Sequence, residues 1–587
     1  GATACVLNGR LYVMGGEGSN KVQVLEMSEE NEFAWTVKAD LPAERIRAAS
    51  AVADGKIWLI GGRILDEDDE EDEEENGSET VSIYDPANDT WAEGPALPEK
   101  VENGTATTFD GRIYLWHCAL GEGLAVPTDE WRAGNLAEAF TLYRQAIADN
   151  YGYDKYGGNC HMVPNHALII ASILHSNDDF GEAMKIINTC GWDTDCNSGN
   201  VGCLMGILVG VEGIDAGMNK GLDWRGPVAD RLYVPTADGD RGISDCVREA
   251  GHIIDMGHAL AGEAAFRPKN GAQFHFTFPG SVQGFQVQVG EGEITNVELG
   301  DARGLKLVGK EGSRIGSPVF IPSKEIGERF EKRGYALLAS PRLFPGQTVE
   351  VGANGSDASV YFAYYGEDDE VSYIEIPLEI SGTTSLEVPN LPGPIFELGI
   401  FFHKDSSVTL DFVKWSGAPR FVAERPKHKG TMWRKAWVNA VDELVGWSEM
   451  FRVIQNDGLG MISQGTQDWQ DYKVHADVTP HLAKRAGLAI RTQGLTRFYG
   501  LLVTVEGTVQ LIRKNHDETV LAEASFDWSF GETLNMSLSA KGDHLMASIN
   551  GTQVLEATDS TLKGGAVGIV IEEGRSATNK VSVEPVS

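Results

Sequence analysis

Apolar and polar residues change rhythm twice along this chain. Over residues 1–116 they alternate in short runs, the period of a half-buried β-strand. Gly9-Arg10-Leu11-Tyr12-Val13-Met14-Gly15-Gly16 returns as Gly55-Lys56-Ile57-Trp58-Leu59-Ile60-Gly61-Gly62, and a third time as Gly111-Arg112-Ile113-Tyr114-Leu115-Trp116. The first two copies end in a diglycine. Trp35, Leu41-Pro42, Tyr84-Asp85-Pro86, Trp91 and Leu97-Pro98 fall between copies, giving a period of about 46 residues. The third copy breaks off at His117-Cys118, where a diglycine is expected.

From Leu136 the spacing lengthens. Leu136, Phe140, Tyr143 and Ile147 recur every three to four residues, which predicts an amphipathic helix, with Asn135 and Glu138 as its capping pair. A loop of Gly, Tyr and Asn leads to Pro164, suited to the first helical position, and residues 167–174 form an apolar helix. Asp179 with Glu182 reads as a second capping box ahead of residues 183–189, and capping also accounts for Asp178-Asp179 better than a metal does. A helix follows Asp195, and a last one, roughly 243–260, stops at Gly262. Five helices without strands predict an all-α domain over residues 117–262.

Beyond Glu263 alternation resumes. Residues 274–278, 285–289, 305–308, 360–365 and 398–402 are strand-like runs divided by Gly, Pro, Asn and Asp, predicting an antiparallel sandwich over 263–420. Residues 421–444, with the basic, Pro-containing stretch 425–435, read as a linker, and 445–587 as a second antiparallel sandwich. A chain of 587 residues exceeds what one core can serve, in keeping with this multidomain division.

The net charge of −37 argues against a nucleic-acid backbone or an anionic membrane as partner. Ten of those charges form the unbroken run 66–75, which self-repels and reads as an unfolded loop bulging from the second repeat. Apolar runs at 167–174 and 203–211 are short of a membrane span. The chain opens at Gly1 in mid-pattern, compatible with a leader or further repeats upstream. Seven cysteines without CxxC spacing read as mostly buried thiols rather than a disulfide framework. Sequons at Asn76, Asn88, Asn103, Asn354, Asn535 and Asn550 permit secretion and do not exclude the cytoplasm.

The candidate chemistry lies in Gly191-Trp192-Asp193-Thr194-Asp195-Cys196-Asn197-Ser198-Gly199. It sets two carboxylates one residue apart before a segment with glycines at 199, 202, 206 and 210. Each interior glycine costs a helix about 1 kcal/mol relative to Ala, a cost tolerated where a neighbouring backbone comes close. Asp193 and Asp195 at the helix start would meet the positive end of its dipole, and two hard oxygen donors suit Mg²⁺. Alternatively, one aspartate caps the helix and the other is solvated.

Asn188-Thr189-Cys190-Gly191-Trp192-Asp193-Thr194-Asp195 and the small-residue helix resemble the C-terminal metal motif of ADP-ribosylglycohydrolases. The resemblance runs from about Leu136 to Gly262. It takes in Tyr151-Gly152-Tyr153, Gly157-Gly158-Asn159-Cys160-His161 and Asp223-Trp224-Arg225-Gly226-Pro227. It implies an all-helical domain that hydrolyses N- or O-glycosidic bonds of ADP-ribose with a pair of Mg²⁺ ions. Asp193 and Asp195 take the places of the metal-binding aspartates, and Cys196 stands where the family carries a hydroxyl ligand. Asn159 and His161 fall in the loop that would touch ribose or phosphate. A bonded structural role for His161, and a core role for His166, are the other readings. Thr128-Asp129-Glu130 is the nearest echo of the family's N-terminal acidic motif, in unmatched surroundings. Only the family's second half is covered, so the implied Mg²⁺ ligand set is incomplete and the activity impaired; no residue is assigned to proton transfer.

The repeats of 1–116 resemble kelch β-propeller blades, of which a closed propeller needs four to eight, and imply a surface for a protein partner. Residues 451–585 resemble concanavalin-like jelly rolls appended to sugar-active enzymes, and imply glycan binding through Trp469, Tyr499 or Trp528. A non-catalytic glycan-binding or kelch-mediated interaction protein is thus the alternative to a hydrolase.

Overall fold

The computed structural model describes residues 2–16, 18–27, 33–65, 77–97, 100–102, 105–109, 112–116, 149, 155–156, 160–234, 239–332, 337–379, 381–446 and 449–586. The acidic run 66–75, the helix predicted from Leu136 to Ile147 with Asn135 and Glu138, Thr128-Asp129-Glu130, His117-Cys118, Tyr151-Gly152-Tyr153 and Asn159 lie outside the described residues. The chain divides into two compact units, Gly1–Asp178 with Glu182–Leu204, and Asp179–Gly181 with Met205–Ser587.

In the first unit the repeats are β-sheets. Thr3–Leu7, Arg10–Met14, Val22–Met27 and Phe33–Lys38 form one four-stranded antiparallel sheet. Ala49–Ala53, Lys56–Ile60, Val81–Asp85 and Thr90–Glu93 form a second, and Thr105–Phe109 pairs with Arg112–Trp116. The alternating residues face one another across the sheets. Tyr12, Met14, Val22 and Val24 of the first share a core with Ile57, Leu59 and Tyr84 of the second. Ala51, Ile60 and Val81 meet Ala106 and Ile113 of the hairpin. The diglycines are required where they stand. Gly15 and Gly61 have φ of 67° and 63°, and a Cβ on either would fall 2.5 Å and 2.6 Å from the carbonyl oxygens of Arg45 and Val101. Trp91 packs 5.0 Å from Tyr84 of its own sheet and donates through Nε1 to the Ala39 carbonyl at the end of the first, tying the two sheets together.

Four helices follow: α1 (Met162–His175), α2 (Phe180–Thr189), α3 (Thr194–Asp215) and, in the second unit, α4 (Cys246–Ala261). Helix α1 begins two residues before Pro164 and buries the stripe Pro164, Asn165, Leu168, Ala171, Ser172 and His175. His166 is exposed, not a core residue, because it points off that stripe. Asp179 immediately precedes α2, whose Glu182 pairs with Lys185 at 2.7 Å.

Among the described residues, the glycines of α3 meet no close backbone. A Cβ at Gly199 or Gly210 would meet nothing within 4 Å, at Gly202 it would touch only the Met184 side chain, and at Gly206 only Ile214. Gly210 instead breaks the helix, with φ of 66° and ψ of −175°. Val201 and Met205 are buried, whereas Leu204, Ile207, Leu208 and Val211 are exposed, Ile207 by 78%. Residues Thr194–Met218 are long and apolar enough to cross a membrane, by length and composition only, with a mean hydropathy of 1.6.

The expectation of no strands between 117 and 262 is corrected by a hairpin, Arg231–Tyr233 with Ile243–Asp245, which occupies the start of the predicted last helix. Asp245 then caps α4, accepting from Arg248 N at 2.9 Å, and Gly262 ends it in the left-handed conformation.

The rest of the second unit is antiparallel sheet. Gln286–Val289, Arg314–Pro318, Ile395–Phe402, Ala358–Tyr365 and Val371–Pro377 make one five-stranded sheet. Gly292–Leu299, Ala302–Gly309, Ser406–Ser416, Thr348–Gly355 and Ser381–Glu387 make another. Their inner faces meet in a core that includes Leu305, Val351, Phe362, Leu398 and Leu410. The C-terminal region is a twelve-stranded sheet built on Phe451–Gln464, Tyr472–Thr492 and Ala566–Pro585. Residues 421–444 are woven into it: Phe421–Glu424 pairs with Ala566–Pro585, and Val438–Ala440 pairs with Phe451–Gln464. Trp469 and Tyr499 are wholly buried in this core, and so cannot stack on a sugar. Trp528 is partly buried and donates to the Thr504 carbonyl.

A buried charge network joins these pieces. Asp240, 2% exposed, accepts from Arg248 Nη2 at 2.8 Å and from Gln467 N at 3.1 Å. Asp245 accepts from Arg248 N and from Gln283 Nε2, and buried Arg342 lies over the rings of Phe274 and Trp415. Burial pushes the Asp240 carboxyl up, but Arg248, the Gln467 amide and Arg342 prevail and hold it below its ordinary value. Asp240→Ala would leave the guanidinium groups buried without that countercharge. It should lower stability by about 3 kcal/mol or more, read from urea denaturation.

Glu397 behaves oppositely. It is 5% exposed on the outer face of its sheet, and Tyr361 donates to it at 2.6 Å. Burial raises its carboxyl to about 7, against the lowering by Tyr361 and Arg314. The folded protein therefore holds a proton that the unfolded chain releases near pH 4.5. Stability from this group is present below about pH 4.5 and is lost as pH rises through about 7. Glu397→Gln should remove this slope, roughly 3 kcal/mol between those limits, in denaturation curves taken at successive pH values.

Candidate metal centre

The turn from α2 into α3 is set by backbone conformation. Gly191 has φ of 83° and Asp193 φ of 41°, the left-handed region that an aspartate tolerates better than most residues. This reversal starts α3 at Thr194, and Asn197 N donates to the Asp193 carbonyl at 3.1 Å as its first bond. Both carboxylates thus sit at the N-terminal end of the helix, where unpaired N–H groups favour negative charge.

The side chains converge. One carboxylate oxygen each from Asp193 and Asp195 and the Sγ of Cys196 lie within 4.8 Å of one another. Asp193 is half-buried, and Asp195 and Cys196 are exposed. The sequence-predicted pair is therefore brought together, with a thiol as third member. A hydrogen bond to Asp193, then some burial, then the charges of Asp193, Asp195 and Cys160 hold the Cys196 thiol above its ordinary value.

One partner was not foreseen. Asn165 of α1 donates from Nδ2 to Asp193 Oδ2 and fixes that carboxylate from a neighbouring helix. The available signal was a polar residue on the buried stripe of an otherwise apolar helix. Asn197 is a second such residue: it is 1% exposed, donates to the Trp192 carbonyl at 3.1 Å, and its Oδ1 is buried with no hydrogen-bond partner among the described residues. Ser198 donates to Asn188 Oδ1 at 3.0 Å.

His161 makes two local contacts. Its Nδ1 accepts from Val163 N at 3.3 Å, capping α1, and its ring packs 4.8 Å from Tyr156. In the second unit Asp223 accepts from Arg225 N and Gly226 N, closing its own turn, while Arg225 pairs with Asp215 at 2.8 Å. Those residues of the resemblance are occupied in holding backbone.

Donors sharing one ion at 2.0–2.3 Å stand no more than about 4.5 Å apart. The observed cluster is within a few tenths of an ångström of that limit. Two carboxylates fit a hard divalent ion such as Mg²⁺; the thiol does not.

Residues 97–241 match the ADP-ribosylglycohydrolase family. Asp193, Asp195 and Cys196 lie inside that match, and residues 44–98 match the kelch motif. Alpha-scruin of Limulus polyphemus is 32% identical over 194 residues, covering 32% of this chain and 21% of that protein. A kelch-like protein of Aspergillus terreus is 35% identical over 120 residues, covering 19% of this chain and 25% of its own. The chain thus spans about a quarter or less of the length of these relatives. A carbohydrate-binding module from Bacillus subtilis aligns with 25% of this chain and 94% of its own at 18% identity, with a TM-score of 0.23, a likeness too small to carry weight.

If Asn165 positions Asp193, then Asn165→Ala should cost about 1–2 kcal/mol through the lost buried hydrogen bond. It should also reduce the thermal stabilisation that a divalent ion confers, measured by melting with and without the ion.

Proposed function

We propose that this chain carries a metal-assisted hydrolase of the ADP-ribosylglycohydrolase type, acting on a glycosidic bond of ADP-ribose and impaired in rate. The observation that carries the reading is the convergence of the Asp193 and Asp195 carboxylates within the region matching that family. Asp193 and Asp195 would hold the ion, with Mg²⁺ the ion that two carboxylates alone prefer. When bound, a divalent ion supplies Lewis-acid polarisation and orientation at the scissile bond. The chain's own contribution is placement. Asn165 fixes Asp193, the left-handed turn presents both acids on one side, and the helix terminus favours an anionic substrate such as a diphosphate.

Impairment follows from the donor count. Among the described residues, Asp193, Asp195 and Cys196 are the one group of three or more side chains able to share an ion. Kelch sequence precedes the motif where the family's other acidic cluster is expected. A division at 116, 262 and 420, with two sandwiches at the C-terminal end and 421–444 belonging to the second, is part of this proposal.

The test is release of free ADP-ribose from an ADP-ribosylated peptide, followed by chromatography. Slow release that needs a divalent ion and disappears in the Asp193→Ala, Asp195→Ala double variant is expected. Release indifferent to both ion and variant would overturn the reading.

A second reading is favoured by the kelch relatives: the blades bind a protein partner. Trp35, exposed on the outermost strand of the first sheet, is the natural contact.

A further inference from the structure

We infer that the outer face of the first sheet is a contact between two copies of this chain, each copy laying its hairpin of Thr105–Phe109 and Arg112–Trp116 over the other's sheet. The inference rests on the reading that the blades bind a protein partner, and deepens it by naming that partner.

The repeat itself says what covers this face. In the second sheet, Val52, Ile57, Tyr84 and Trp91 stand directly opposite one another across the four strands. All four pack into the core shared with the first sheet, and Ile57 and Tyr84 are wholly buried there. The first sheet carries the same row: Val6, Leu11, Leu25 and Trp35 stand opposite one another in the same strand order. Leu11 holds the place of Ile57 in the repeated motif, and Trp35 that of Trp91. This row, however, lies on the opposite face from Leu7, Tyr12 and Val24, which fill the shared core. None of its four members belongs to that core, and Val6 and Trp35 are 63% and 53% exposed. In the second sheet such a row is covered by a sheet of the same repeat, which presents Tyr12 and Met14 and accepts the Trp91 indole on the Ala39 carbonyl. The occupant that fits the first row is therefore another element of this repeat. The hairpin supplies one. Its strand Arg112–Trp116 is the third copy of Arg10–Met14, and Ala106 and Ile113 face the second sheet. Its far face thus corresponds to the one that bears Tyr12 and Met14 in the first sheet. Two copies joined reciprocally make two identical contacts about a two-fold axis. Three blade sheets from each copy give six, within the four to eight that close a propeller.

The experiment is light scattering on the full chain over a concentration series. A species of twice the chain mass is expected, with Trp35→Asp raising its dissociation constant about tenfold or more. Leu482→Glu, at an exposed apolar residue of the second unit, should leave that constant unchanged. Hydrogen exchange on the unaltered chain gives a readout that does not depend on how a variant folds: exchange in Arg10–Met14 and Phe33–Lys38 should slow as concentration rises. A single chain mass at every concentration would overturn the inference while leaving the blades able to bind a different protein. A dimer unmoved by Trp35→Asp, or exchange in those strands independent of concentration, would also overturn it. The first of these results would in addition remove Trp35 as the contact between copies.

Discussion

The second unit depends on a charge that burial would extinguish if it were alone. Asp240 stays ionised because Arg248 reaches it from the first turn of α4 and the Gln467 amide reaches it from the C-terminal sheet. Asp245, in the adjoining hairpin, caps the same helix while accepting from Gln283 of the preceding β-region. Arg342 completes the set. Burial and the repulsion of Arg248 lower its guanidinium to about 10, and the two aspartates act against that fall. None of these groups is tolerable buried without the others. The network therefore acts as an assembly check: α4, the hairpin, the five-stranded sheets and the C-terminal sheet must all be in place before its charges are matched.

Such a constraint is nearly invisible in a sequence, because its members are scattered from residue 240 to residue 467 and none follows a periodic pattern. What could be read was local. The alternation in Arg10–Met14 and Lys56–Ile60 was legible because every second side chain meets a neighbouring sheet, and the diglycines because two carbonyls come too close for a Cβ. The end of α4 at Gly262 was legible from chain conformation alone. The hairpin of Arg231–Tyr233 and Ile243–Asp245 was not, since three-residue strands carry no measurable period. Nor was the ordering of 421–444: its Lys, Arg and Pro content is that of a linker, but Phe421–Glu424 bonds to a strand more than a hundred residues away and Val438–Ala440 to Phe451–Gln464.

Misreadings in the helical region share a cause. The glycines of α3 and the histidine of α1 were assigned as though a full shell of helices surrounded them. His166 is exposed, and Leu204, Ile207, Leu208 and Val211 present an apolar face that no described residue buries. On α4 the same is true of Ile253, Met256 and Leu260. Glycine spacing is ambiguous between close packing and a break in the helix, and at Gly210 the positive φ decides for the second. Asn165 was missed for a related reason: a buried amide can be recognised only once its acceptor is known, and Asp193 lies 28 residues away.

The grouping of Asp193, Asp195 and Cys196 survives these gaps because it depends on so little of the chain. A left-handed residue at Asp193 turns the backbone, the following helix fixes the directions of the next two side chains, and one amide from α1 holds the first acid. Three donors within one turn need no distant sheet to assemble them. That economy also leaves the cluster open: a single turn of helix covers one side of it, and Asp195 and Cys196 remain exposed.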